Sequence, residues 1–170
     1  MTVELICVGT ELLLGNIVNT NAAFLAEQCA ALGLSCYYQT VVGDNPERLL
    51  QTVRTAFSRS DIILLSGGLG PTKDDLTKET VAEVFGAALL EDTASREMIA
   101  AYFQTRGKIP TENNWKQALV PEGGRAVANR NGTAPGIIME KEGRHVILLP
   151  GPPDELKPMF TEEAAKAGKF

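Results

Sequence analysis

Short apolar runs and longer amphipathic stretches alternate along the first half of the chain. Residues 3–8 and 61–65 are strand-length runs rich in Val, Ile and Leu, each leading into glycine. That is the pattern of parallel strands covered on both faces. Ser35–Val42 reads as a third strand. Between them lie helical spacings: Leu25, Cys29 and Leu32 among alanines at 22, 23, 26 and 30, then Leu49, Leu50, Val53, Ala56 and Phe57 after Pro46. Leu76, Val81, Val84 and Phe85 predict a further helix, with Gly86 near its end. The order βαβαβα with right-handed crossovers predicts an α/β fold on an open, doubly wound sheet whose loops leave from the carboxyl edges of the strands.

The second half is less regular. Residues 92–105 and 111–119 read as helical, and residues 137–139 and 145–149, joined by the charged turn "EKEGR", read as an antiparallel hairpin extending the same sheet. The domain is expected over residues 1–160. Residues 161–170, "TEEAAKAGKF", are polar and weakly patterned, and read as a frayed tail or truncation point.

Composition narrows the class. A chain of 170 residues, 44% hydrophobic, suits one domain with a sizeable core. The net charge of -5 argues against a nucleic-acid partner, because no basic stripe is available to displace counterions. Residues 62–65 and 147–149 are too short to span a bilayer, and residues 1–9 lack a basic leader, so a cytoplasmic protein with no membrane partner is expected. Cys7, Cys29 and Cys36 fall at no metal spacing, and His145 is the sole histidine, which disfavours a zinc site or a histidine-based triad.

The chemistry concentrates where the strands end. The first strand runs into "VGTELLLG", the second into "VVGDN" and the third into "SGGLGPTKDDLT". If the first and third strands are neighbours, Glu11, Asp44, Asp74 and Asp75 rim one crevice. Gly67, Gly68 and Gly70 permit close backbone approach, so their amides could face an anion at the start of a helix. The acids set a puzzle. A helix N-terminus favours an anion by about 0.3–1 kcal/mol, whereas unit charges about 4 Å apart interact by about 4 kcal/mol at an effective dielectric near 20. Bare aspartates would therefore repel phosphate. A divalent cation, Mg²⁺ above all, reverses the sign by joining carboxylates to phosphate oxygens, with Lys73 neutralising further charge. Asp75, Asp74 and Asp44 are the metal-ligand candidates, and Glu11 is a candidate base or second ligand. The alternative is purely local: Thr72 caps the following helix and Asp75 completes a variant capping box.

Other residues carry two readings each. Asn16, Asn19 and Asn21 in "GNIVNTN" could bond a sugar or base, or could cap the first long helix. The turns "GTAPG" and "LPGPP" could bring backbone near a ligand, Gly151 in particular, or could be rigid turns alone. Trp115 is a stacking surface or a core anchor. The apolar run 12–14 is core or a subunit contact.

Taken together, "GTELLLGNIVNTN", "VVGDN", "SGGLGPTKDDLTKE", "TENNWKQA", "GTAPG" and "LPGPPDELKPMF" resemble the amino-terminal domain of the CinA competence/damage-inducible proteins, within the wider MoaB/Mog-like molybdopterin-binding superfamily. The resemblance covers residues 3–160. It implies a three-layer α/β sandwich on a mostly parallel sheet and a homo-oligomer, dimer or trimer. In the superfamily the Gly-rich loop and nearby acids hold a pterin phosphate or its adenylylated form, at positions matching Gly67, Gly68, Gly70, Asp75 and Asp44. CinA-type domains are linked instead to metal-dependent hydrolysis of ADP-ribose to AMP and ribose 5-phosphate, and a related domain of eukaryotic FAD synthase to FAD cleavage. The resemblance thus implies an ADP-ribose-like nucleotide or a pterin phosphate as ligand, with Thr72, Lys73, Asn19 and Gly151 beside it. Longer CinA proteins append an amidohydrolase domain acting on nicotinamide mononucleotide. The sequence stops before that domain, and its activity is not expected here.

Overall fold

The computed structural model describes residues 1–167. Three parallel strands, β1 (Thr2–Val8), β2 (Ser35–Val42) and β3 (Ile62–Ser66), lie as expected, with β1 paired to both of the others. The helix α1 (Thr10–Leu13) follows β1 directly, in a stretch that carries no helical period of its own. α2 (Thr20–Ala31) and α3 (Pro46–Arg59) are the crossovers, each opened by an asparagine: Asn19 accepts from Ala22 N at 3.2 Å and Asn45 from Arg48 N at 3.0 Å. α4 (Thr77–Phe85) follows β3 and ends on Gly86 in the left-handed conformation.

Beyond α4 the chain forms a small lobe. It contains β4 (Leu89–Glu91), α5 (Thr93–Gln104), α6 (Glu112–Trp115) and β5 (Leu119–Pro121). The helix expected over 111–119 is therefore only four residues long. A 3-10 turn at Lys116–Ala118 ends it, because Leu119 pairs antiparallel with Glu91. The chain then returns to the main sheet through β6 (Arg125–Val127), β7 (Gly136–Lys141) and β8 (Arg144–Leu149). The turn of the β7–β8 hairpin has positive φ at both Glu142 (53°) and Gly143 (74°), the geometry that matches strand twist in a two-residue hairpin.

Among the described residues the main sheet has six strands in the order β2-β1-β3-β8-β7-β6, parallel from β2 to β8 and antiparallel thereafter. Alternation along the strands feeds two cores. Ile6, Ile63, Leu65 and Leu148 pack under Val53 of α3 and Val81 and Phe85 of α4. Leu5, Ile62, Leu64 and Leu149 pack under Leu25 and Cys29 of α2 and Leu156 and Phe160 of α7 (Pro153–Ala167). Helices thus cover both faces, giving three layers.

Of residues 161–170, read from the sequence as a frayed tail or truncation point, 161–167 continue helix α7 and 168–170 lie outside the described part. The helix was obscured by Pro158, which has no N–H to offer the carbonyl four residues earlier. That carbonyl, Asp154 O, accepts instead from Asn131 Nδ2 at 2.7 Å. Leu156, Met159 and Phe160 then form the buried face. No described helix is long and apolar enough to cross a membrane. Cys7 and Cys29 are buried and Cys36 half-buried, all as free thiols.

Glu4 and Lys78 are the two most deeply buried charged side chains among the described residues. Glu4 of β1, only 1% exposed, accepts from Arg59 Nε and Nη2 at 3.0 and 2.7 Å and from Ser60 Oγ at 3.0 Å. Lys78 of α4 donates to the carbonyl of Lys116. Burial pushes the Lys78 ammonium from the usual 10.5 down to about 8, with Lys116 adding repulsion and Glu79 and Asp75 opposing it. Between those two values the unfolded chain holds a proton that the folded chain has released, so this group makes stability rise with pH. Relative to Lys78→Met, the wild type is expected to gain about 3 kcal/mol across that window, on the scale of 1.36 kcal/mol per pKa unit. Urea midpoints of both proteins at a series of pH values measure the difference. A difference that stays flat from neutral to alkaline pH refutes it.

Candidate functional site

β3 ends at the switch point of the sheet, and the loop after it turns back sharply. Gly67 has φ 98° and Gly68 φ 69°, a region that side chains other than glycine's rarely adopt. A Cβ on Gly67 would lie 2.3 Å from the carbonyl oxygen of Val8, and one on Gly68 would lie 2.0 Å from Thr77 Oγ1. The loop is closed by Thr77, whose Oγ1 donates to Gly67 O at 2.8 Å and whose N donates to Gly68 O at 3.1 Å. Gly67 N is taken by Leu149 O at 3.0 Å, so it is not available to a ligand. The amides of Gly68, Leu69 and Gly70 donate to no protein acceptor among the described residues.

These amides border a cavity of about 490 Å³ at the carboxyl edge of the sheet. Glu11, Asp44, Asp74 and Asp75 all line it, brought from three strand ends, and Gly67, Gly68, Gly70, Thr72 and Gly151 line it with them. Asp44 is held by the first residue of α1: its Oδ2 accepts from Thr10 N and Oγ1 at 3.0 and 2.8 Å. Asp75 is held in the same manner by its own turn, Oδ2 accepting from Thr72 N and Oγ1 at 2.9 and 2.5 Å. This bonding resembles the expected capping box but does not cap the helix, which starts later, after Leu76. Each aspartate keeps Oδ1 free of protein partners among the described residues.

Two candidates fall elsewhere. Lys73 is exposed and does not line the cavity, although Thr72 and Asp74 on either side of it do. Asn19 caps α2 and lines an adjoining cavity of about 300 Å³. The two cavities share Val8, Glu11, Gly151 and Pro152. Asn21 lines the second cavity, its Nδ2 donating to Ser66 Oγ and Gly151 O at 3.1 and 2.7 Å. Trp115 lies under Arg96, 4.2 Å from the guanidinium, and lines neither cavity. Leu13 and Leu14 are 56% and 69% exposed, which removes the core reading for that run.

Two lining residues carried no sequence signal of their own. Glu155, at the start of α7, lies against Gly132 and accepts from Asn129 Nδ2 at 2.7 Å. Burial pushes its carboxyl above the ordinary range, helped by Asp154 and opposed by the Asn129 bond. Gln117 gives its Nε2 to Leu69 O at 3.3 Å and leaves Oε1 buried without a partner. Both arrive through tertiary packing; they lie inside the quoted stretches "LPGPPDELKPMF" and "TENNWKQA", but nothing in those stretches singles them out.

The lining holds five carboxylates and no basic side chain among the described residues. No group of three or more His, Cys, Asp or Glu side chains is placed among them to hold a metal ion. Asp44, Asp74 and Asp75 therefore share a cavity without forming a ready-made cage. Mg²⁺ does not require such a cage, since it is commonly held by one or two carboxylates together with substrate phosphates.

A family model described as "Probable molybdopterin binding domain" matches residues 4–167. The chain belongs to this family. Its place within the family is on the CinA branch. The chain is 55% identical over 159 residues to a competence-damage inducible protein of Thermoanaerobacter sp. (strain X514), a match covering 94% of this chain and 38% of that protein. It thus spans well under half the length of that relative. The CinA crystal structure from Thermoplasma acidophilum superimposes with a TM-score of 0.92 at 35% identity, covering 100% of both chains. The tungsten cofactor synthesizing protein MoaB of Pyrococcus furiosus shares the fold, with a TM-score of 0.63 at 18% identity over 98% of this chain and 92% of that one.

Proposed function

We propose that this domain binds an adenylyl pyrophosphate of the ADP-ribose type together with a divalent cation, and hydrolyses it to AMP and ribose 5-phosphate. The observation that carries the reading is the pairing of unlike groups in one cavity. Unpartnered amides at Gly68, Leu69 and Gly70 favour an anion, while Glu11, Asp44, Asp74, Asp75 and Glu155 repel it. A phosphate that arrives with a cation satisfies both.

In this reading Asp75 and Asp44 would hold Mg²⁺ through the carboxylate oxygens that the protein leaves free. The ion, when bound, would offset phosphate charge and make water more acidic. The loop amides hold phosphoryl oxygens and stabilise the charge that develops on them. Glu155, whose proton affinity burial raises, is suited to take the proton of the attacking water. Glu11 remains the second candidate for that role. The water oxygen forms a bond to one phosphorus, the bridging P–O bond breaks, and the departing phosphate keeps the electron pair.

A second reading has its own support. The family description and the shared fold of MoaB favour a pterin phosphate as ligand, bound in the same cavity. Incubation with ADP-ribose and Mg²⁺, followed by chromatography, separates the two. AMP is expected, and is expected to disappear with EDTA. Absence of AMP from wild type sinks the hydrolase reading. Calorimetric binding of a pterin phosphate but not ADP-ribose would then favour the second, and binding of ADP-ribose left intact would indicate a noncatalytic nucleotide module.

A further inference from the structure

The turn carrying Thr72, Asp74 and Asp75 is gripped from outside the cavity. Lys116, in the 3-10 turn of the small lobe, donates from Nζ to Asp75 O at 2.8 Å and to Thr72 O at 3.2 Å. Thr72 and Asp75 are the same two residues whose amide, hydroxyl and carboxylate already bond each other. The two carbonyls point toward one place, where their like partial charges would drive them apart without a cation between them. Glu79 Oε1 lies 3.3 Å from the same ammonium and balances its charge.

Lys116 is itself fixed. The capping box of Thr111 and Asn114 starts its turn, Trp115 beside it stacks under Arg96, and its own carbonyl accepts from the buried Lys78. Lys78 and Glu79 belong to α4, the helix that follows the loop, so the clamp ties the lobe, the helix and the turn together. Lys116 does not line the cavity, whereas its neighbour Gln117 does.

We propose that Lys116 is a positioning residue: by holding the carbonyls of Thr72 and Asp75 from behind, it sets where the Asp75 carboxylate stands in the cavity without touching the ligand. Its kinetic consequence rests on the hydrolase reading above; its structural consequence does not. Lys116→Met keeps the length of the side chain and removes the charge. In the whole chain, amide exchange at residues 72–75 is expected to quicken by about tenfold or more while β1 and β3 are unaffected, as in local opening. Lys116→Arg, which can still reach two carbonyls, is expected to restore slow exchange. Because small displacements of a reacting group are costly, kcat for AMP formation is expected to fall by about 10- to 100-fold with KM changed by less than about threefold. Arginine should recover most of that kcat.

Unchanged exchange at 72–75 in Lys116→Met overturns the proposal, as does an unchanged kcat in an active enzyme. If wild type makes no AMP, the hydrolase reading is lost and exchange alone decides the clamp. If Lys116→Met does not fold, Lys116→Gln, which keeps a polar end group but removes the charge that bridges the two carbonyls, decides it: faster exchange confined to 72–75 supports the clamp, and wild-type exchange there overturns it.

Discussion

Gly67→Ala is expected to lower the unfolding free energy by about 3–5 kcal/mol, a large share of the roughly 5–15 kcal/mol that holds most domains together. Two costs add. A residue other than glycine at φ 98° is strained by about 1–3 kcal/mol. The added methyl would also sit 2.3 Å from the Val8 carbonyl, and overpacking costs typically about 1–3 kcal/mol. That oxygen is backbone at the end of the central strand β1, where Val8 pairs with Val42 of β2, so it cannot swing aside as a side chain would. Gly33→Ala is the control. Gly33 has φ 75° but open space where the Cβ would go, so it should show the conformational cost alone, about 1 kcal/mol. Urea unfolding of both variants measures the gap, and equal midpoints for the two would refute the steric argument. A Gly67→Ala protein that does fold should also bind ADP-ribose more weakly, because the strained turn is what aims the amides of Gly68 and Leu69 at the cavity.

The same loop shows why part of this protein could be read from its sequence and part could not. β1, α2, β2, α3, β3 and α4 announce themselves through local periods, through Pro46 at a helix start and through Gly86 at a helix end. Once those elements are in order, the handedness of the crossovers puts the ends of β1, β2 and β3 side by side, and Glu11, Asp44 and Asp75 converge as a consequence. The short elements have no such announcement. β4, β5 and β6 are three residues each, and their existence depends on partners far away in the chain. Adjacency to Asp74 and Asp75 points to Lys73 as well, yet of the three only the aspartates line the cavity, because adjacency in sequence does not fix which side chains a turn presents to a cleft. Conversely, Glu155 and Gln117 reach the cavity only because α7 and the small lobe pack where they do. The clamp by Lys116 is of the same kind, since its partners lie 44 and 41 residues away.

Asp75→Asn isolates charge from structure at the centre of the proposed chemistry. The amide keeps an oxygen that can accept from Thr72 N and Oγ1, so the turn should hold and stability should stay within about 1 kcal/mol of wild type, the range of a neutral hydrogen bond. What is lost is the negative charge on the oxygen that no protein group uses. If that oxygen holds Mg²⁺ against the phosphates, AMP formation should fall by about a hundredfold or more, the scale seen when one group stabilising transition-state charge is removed. Part of the loss should return at high Mg²⁺, because Asp44 and the phosphates still offer ligands. Asp75→Ala, by contrast, also frees Thr72, and should loosen the turn as Lys116→Met does. The pair of variants therefore separates two roles that share one side chain. Wild-type turnover by Asp75→Asn at limiting Mg²⁺ would mean that the Thr72 bonds, and not the charge, are what the sequence places there, and the metal assignment would fail with it.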